Sequence, residues 1–164
     1  SKEWSDDAWY KEQDNRNYEK NEGYLVINEG KAKGTIIGAN LCTFNLLHGT
    51  EFLPNFKDTI LFIEDCVEGE DEFIVNFDRD LQSIIHQPGF EGVKGIVIGR
   101  FEHNSSMTKD KITKIIKNKK ELDNLPVIAY ADFGHTFPMT VFPIGGEAEI
   151  EANKNKAKIL INKH

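Results

Sequence analysis

The 164-residue sequence predicts one α/β domain that joins a mostly parallel sheet to an antiparallel one. Three observations lead there. Apolar runs at 59–63, 95–99 and 126–130 lack the polar alternation of a half-exposed strand, and read as strands buried on both faces. Between them lie segments with helical apolar spacing. The last section differs in kind: 148–152 and 157–161 alternate around Asn153-Lys154-Asn155-Lys156, the pattern of a hairpin with one face in water.

Residues 1–22 are acidic and hold Trp4, Trp9 and Tyr10, and read as an interdomain linker or docking segment, with the domain proper over 23–164. Tyr24-Leu25-Val26-Ile27 is a short strand ended by the turn Asn28-Glu29-Gly30. Residues 31–37 form a second strand, interrupted by Gly38-Ala39-Asn40. Leu41, Phe44, Leu46 and Leu47 then suit a short helix closed by Gly49-Thr50. The strand 59–63 runs straight into Glu64-Asp65. After an acidic loop, 78–86 is helical, with Leu81, Ile84 and Ile85 on one stripe. The 95–99 strand comes next. Thr108 caps a helix reaching Lys120, with a stripe of Ile112, Ile115 and Ile116 and lysines toward its C-terminus, where the helix dipole favours them. The 126–130 strand ends near Asp132.

Composition narrows the function. A net charge of −7 argues against a nucleic-acid backbone as the main partner, though a small nucleotide-like ligand needs only local donors. No run approaches the roughly 18 apolar residues of a membrane span, and nothing at the N-terminus resembles a signal peptide. Cys42 and Cys66 give neither a disulfide framework nor zinc spacing, which suits reduced thiols in a cytoplasmic protein.

Two strand ends carry the chemistry. Glu64 and Asp65 close an apolar strand, where open α/β sheets gather their sites; on placement alone they either serve a site or solvate the strand end. Asp132-Phe133-Gly134-His135-Thr136 lies just past another such strand, and Gly134 frees the backbone beside His135 for a tight turn. His135 is either a proton-transfer group or an ordinary surface histidine. Each strand end offers one half of a His–carboxylate pair, which strengthens both. A triad also needs a nucleophile, and none of Ser1, Ser5, Ser83, Ser105 and Ser106 sits in a glycine-flanked elbow. Cys66 as nucleophile, or a metal held by Glu64, Asp132 and His135, are weaker alternatives. His48, His86, His103 and His164 read as bystanders. Gly30-Lys31-Ala32-Lys33-Gly34 is no phosphate loop, and the 68–72 acidic run lacks EF-hand spacing.

Several blocks in order carry a family resemblance: Gly38-Ala39-Asn40-Leu41 with Gly49-Thr50, the strand into Glu64-Asp65, Gly95-Ile96-Val97-Ile98-Gly99-Arg100-Phe101, and Asp132-Phe133-Gly134-His135-Thr136 followed by Pro143-Ile144-Gly145. Together, from about Trp4 to about Ile161, they resemble the C-terminal domain of the LD-carboxypeptidase family of serine peptidases. Trp4-Ser5-Asp6-Asp7, Asn40-Leu41-Cys42-Thr43 and Met139 lean toward its microcin C immunity branch. The resemblance implies a three-layer β/β/α swivelling-type domain, with Glu64 and His135 as triad glutamate and histidine and the serine on an N-terminal domain. It implies no cofactor or metal, and a homodimer. It places Trp4 or Trp9 near a nucleobase and makes Asn40 a substrate-binding candidate. The implied substrate is a peptidyl or aminoacyl nucleotide, with trimming of murein tetrapeptides and a non-catalytic binding module as alternatives. The chain alone is expected to be inactive. The family's loop after the glutamate often carries a basic residue; here Cys66-Val67-Glu68-Gly69-Glu70 has none.

Overall fold

The computed structural model describes residues 1–8, 10–11, 13–67, 72–154 and 156–164. Among the described residues are nine strands and three α-helices: β1 (Glu3–Trp4), β2 (Glu19–Lys20), β3 (Leu25–Asn28), β4 (Gly30–Asn40), α1 (Leu41–Asn45), β5 (Thr59–Glu64), α2 (Phe73–Ile85), β6 (Val93–Gly99), α3 (Lys109–Lys117), β7 (Val127–Ala131), β8 (Glu147–Asn153) and β9 (Lys156–Lys163). β1 and β2 form a small antiparallel pair. The other seven build one curled mixed sheet in the order β3-β7-β6-β5-β4-β8-β9.

The apolar strands β5, β6 and β7 pair in parallel at its centre, as their uninterrupted hydrophobicity requires. The expected parallel and antiparallel parts share one strand. β4 pairs antiparallel with β8 over its first half and parallel with β5 over its second. Both faces of the sheet are covered. One packs Leu61, Ile63, Ile96 and Ile98 against α1, α2 and α3 through Phe44, Phe77, Leu81 and Ile112. The other packs Ile36, Ile60, Phe62 and Val97 against Ala148, Ile150 and Ala152 where β8 and β9 curl over. Helices, central strands and curled hairpin make the three layers.

Three boundaries differ most from the sequence reading. Gly38 does not interrupt β4, which continues to Asn40. A Cβ at Gly38 would lie 1.7 Å from the Phe62 carbonyl oxygen, so the missing side chain lets two backbones pass rather than ending a strand. Helix α2 starts at Phe73, not 78, because Phe73 and Phe77 extend the buried stripe of Leu81 and Ile84 by helical steps. Helix α3 stops at Lys117; Thr108 does cap it, accepting the Lys111 N–H at 3.2 Å.

Candidate functional site

The site forms where β4, β5, β6 and β7 end together. Five consecutive buried residues of β5 lead to Glu64, whose side chain is 12% exposed. A seat without side chains receives it. A Cβ at Gly99, the last residue of β6, would fall 2.7 Å from the Glu64 Cβ. A Cβ at Gly134 would fall 2.8 Å from Glu64 Oε2. β7 brings Gly134 there through a bulge: Val97 pairs with Ile128 but Gly99 with Ala131, one extra residue on β7, and Tyr130 takes φ of 59°. Such a bulge bends the strand and re-aims the segment beyond it.

That segment is the turn carrying His135. Gly134, at φ of 100°, adopts a backbone that L side chains disfavour, and His135 Nδ1 lies 2.7 Å from Glu64 Oε2. An ionised carboxylate only accepts, so Nδ1–H is the donor to it, and in the neutral imidazole Nε2 then presents its lone pair. His135 is 48% exposed, and among the described residues none hydrogen-bonds Nε2. The geometry suits proton abstraction from a group brought in from outside.

Beside the pair opens a cleft of 360 Å³, floored by Phe62, Phe133 and Phe142 and bordered by Asn40, Glu64 and Met139. Parallel register sets Asn40 level with Glu64. The Asn40 side chain is largely engaged: Oδ1 accepts the Thr43 N–H at 3.0 Å, capping α1, while Nδ2 donates to Asp65 Oδ1 at 3.1 Å and approaches Cys66 Sγ at 3.6 Å. Asp65 is buried behind Glu64. Burial pushes its carboxyl up to about 6; hydrogen bonds from the Cys66 N–H and Asn40 oppose the shift, and the Glu64 and Asp80 charges add to it.

The other candidates separate from this cleft. Asp132 is committed to Arg100, Nη2 to Oδ1 at 3.0 Å, with both side chains buried, so the Glu64–Asp132–His135 metal set does not assemble around a shared centre. Among the described residues no group of three His, Cys, Asp or Glu side chains is arranged to hold a metal ion. Trp4 is outside the lining of the cleft; it stacks on His103 with ring centroids 4.6 Å apart, and the Arg100 guanidinium lies 5.0 Å from its ring centre. Trp9 lies outside the described residues. Next to Trp4, Ser5 reaches the segment just past the histidine, exchanging backbone hydrogen bonds of 3.0 and 2.7 Å with Phe137.

His103 is no bystander. Nδ1 lies 2.7 Å from Asp6 Oδ2 and Nε2 3.3 Å from Glu19 Oε1. Burial works to lower its pKa, but the hydrogen bonds and charges of Asp6 and Glu19 outweigh it, and the net shift is upward. Sequence reading missed this clamp because Asp6 and His103 lie 97 residues apart and only the fold brings them together. A serine does pair with a histidine elsewhere, Ser83 Oγ with His48 Nδ1 at 3.0 Å, but Ser83 sits inside α2 and His48 Nε2 is buried without a described partner to orient it.

Comparison with known proteins places the chain in a family. Residues 33–150 match the model of the LD-carboxypeptidase C-terminal domain. The protein YocD of Bacillus subtilis (strain 168) is 51% identical over all of this chain, which covers 50% of YocD. The crystal structure of an MccF-like protein from Bacillus anthracis str. Ames superposes with a TM-score of 0.97 at 48% identity, over 100% of this chain and 50% of that one. The microcin immunity protein MccF in complex with glutamyl sulfamoyl guanosine superposes with a TM-score of 0.76 at 26% identity, over 99% and 49% of the two chains. The chain thus spans about half the length of the relatives it matches. It belongs to the LD-carboxypeptidase family, as the C-terminal half of its MccF-like proteins.

Proposed function

We propose that Glu64 and His135 are the orienting carboxylate and the base of a Ser–Glu–His triad whose serine is supplied by an N-terminal domain of the same protein. The observation that carries this reading is the 2.7 Å Nδ1–Oε2 bond, with Nε2 left toward solvent. In the complete protein His135 takes the serine proton as the acyl-enzyme forms, and then hands it to the leaving amine. Glu64 holds the tautomer and stabilises the imidazolium. Water, activated by His135, then releases the acyl group. The apolar side chains Phe137, Met139, Val141 and Ile144, exposed beside the cleft, suit a face covered by that domain. In this reading residues 1–22 are the linker between the two domains and 23–164 the C-terminal one, acting in a cytoplasmic homodimer.

The proposed substrate is a peptidyl or aminoacyl nucleotide, in keeping with the sulfamoyl nucleoside bound by MccF. Asn40 borders the cleft where such a ligand would lie. Trp4 would offer its ring to the base only by exchanging its stack on His103. A murein tetrapeptide is the second reading, favoured by the family's LD-carboxypeptidase description.

The test is hydrolysis of both substrates by the full-length protein and its Glu64→Gln and His135→Ala variants. Each substitution is expected to lower kcat by about 10³-fold or more, and this chain alone to turn over neither substrate. Full activity in either variant would remove these residues from the mechanism; activity on the murein peptide alone would replace the proposed substrate.

A further inference from the structure

Just beyond the paired Asn40 and Glu64, two thiols line one cavity. β4 and β5 are parallel neighbours, and Cys42 and Cys66 each lie two residues beyond that paired position. The strand pairing stops at that position, and a disulfide beyond it needs the two Cα atoms brought to about 4.4–6.8 Å. The chains diverge only at this point, Cys42 entering the first turn of α1 and Cys66 continuing past β5. Both residues line a single cavity of 140 Å³ between the sheet end and α2. The Asn40 side chain links the two segments. Cys66 Sγ lies 3.6 Å from Asn40 Nδ2, and the same amide, through Oδ1, holds the backbone N–H of Thr43, the neighbour of Cys42. The segment carrying Cys66 is itself fixed, because the Val67 N–H donates to Glu102 Oε2 at 3.1 Å. Cys42 is exposed and Cys66 partly so, which gives a small reagent access.

We infer that Cys42 and Cys66 form a reversible disulfide under oxidising conditions, a modification site at the edge of the cleft. The oxidant is a low-molecular-weight disulfide. The Cys42 thiolate attacks one of its sulfurs and releases one small thiol, leaving a mixed disulfide on Cys42. The Cys66 thiolate then attacks the Cys42 sulfur, the second small thiol departs, and the two protein thiols have lost two protons and two electrons to the reagent. The bond ties the first turn of α1 to the chain just beyond Glu64 and draws Cys66 Sγ away from the Asn40 amide. The bond itself is independent of the proposed hydrolase reading; its effect on the cleft rests on that reading.

The full-length protein treated with oxidised glutathione, alkylated and digested, reads the outcome by mass spectrometry. The expected product is a Cys42–Cys66 linked peptide, two hydrogens lighter than the sum of its parts and absent after dithiothreitol. Cys66→Ser is expected to accumulate glutathione on Cys42 at least tenfold above wild type, because the resolving thiol is gone. Separate glutathione adducts on the two cysteines of the wild type, or both thiols still alkylated, would overturn the inference. Hydrolysis of the nucleotide substrate is expected to fall at least tenfold on oxidation and to return on reduction. A linked peptide with unchanged hydrolysis would establish the bond and refute its control of the cleft. Absence of hydrolysis before oxidation would count against the hydrolase reading alone.

Discussion

Replacing Gly134 with alanine tests the site without changing any polar group in it. The added Cβ would stand 2.8 Å from Glu64 Oε2, 3.0 Å from its Cβ and 3.1 Å from its Cγ. The carboxylate tip can swing aside, but the Glu64 Cβ is fixed at the end of β5 and cannot. Relief therefore comes at the expense of the bond to His135 Nδ1. Two costs result. The backbone at φ of 100° strains any L side chain by about 1–3 kcal/mol, which lowers Tm by about 2–4 °C for each kcal/mol in a chain of this size. Moving the carboxylate by about 1 Å lowers kcat by about 10²-fold. Gly89→Ala separates the two costs, because Gly89 has a similar φ of 87° and a Cβ there meets nothing within 4 Å. The assay is kcat at saturating substrate in the full-length protein, with thermal melting of each variant. Gly89→Ala should lose stability and keep kcat; Gly134→Ala should lose both. A folded Gly134→Ala protein with wild-type kcat would show that the Glu64–His135 geometry is not what catalysis needs.

Three other outcomes are expected. Gly38→Ala sets its Cβ against the Phe62 carbonyl, a clash no rotamer relieves, so circular dichroism should show loss of the folded protein or a destabilisation above about 4 kcal/mol. Asp65 binds its proton more tightly when folded than when unfolded, so stability falls as pH rises from about 4 through about 6. Asp65→Asn should abolish that fall and, after discounting for solvent screening, gain about 1 kcal/mol at pH 7 in urea unfolding. His103 has the opposite sign of charge and a raised pKa, so its contribution is complete below the unfolded histidine value and lost as pH rises through the folded one. His103→Gln should flatten the melting temperature against pH in that window, and an unchanged pH profile would refute the clamp.

The parts of this molecule that its sequence disclosed share one property: their cause is local. The β5, β6 and β7 strands are buried on both faces and therefore uniformly apolar, and α3 shows its stripe and its Thr108 cap within ten residues. Glu64 and His135 drew notice because one ends such a strand and the other lies in the turn just past another. Gly38 misled because a glycine in a strand marks either a break or a close approach, and only the neighbour β5 decides which. The start of α2 was hidden for a similar reason, since Phe73-Ile74-Val75 favours a strand by itself and becomes helical where Phe73 packs on Phe101. The Asp6–His103–Glu19 clamp and the Arg100–Asp132 pair left no trace in spacing, because each joins segments that only the fold brings together.

The glycine seat around Glu64 has a consequence for how such domains drift. A duplicated copy released from selection for chemistry could keep its glutamate and histidine for a long time. An early damaging change would then be a methyl group at 99 or 134, where it would press on the Glu64 side chain. Under the proposed triad, sequences that retain the glutamate and the histidine but fill either of those positions are expected to be silent copies, and the two glycines become a second marker beside the pair itself.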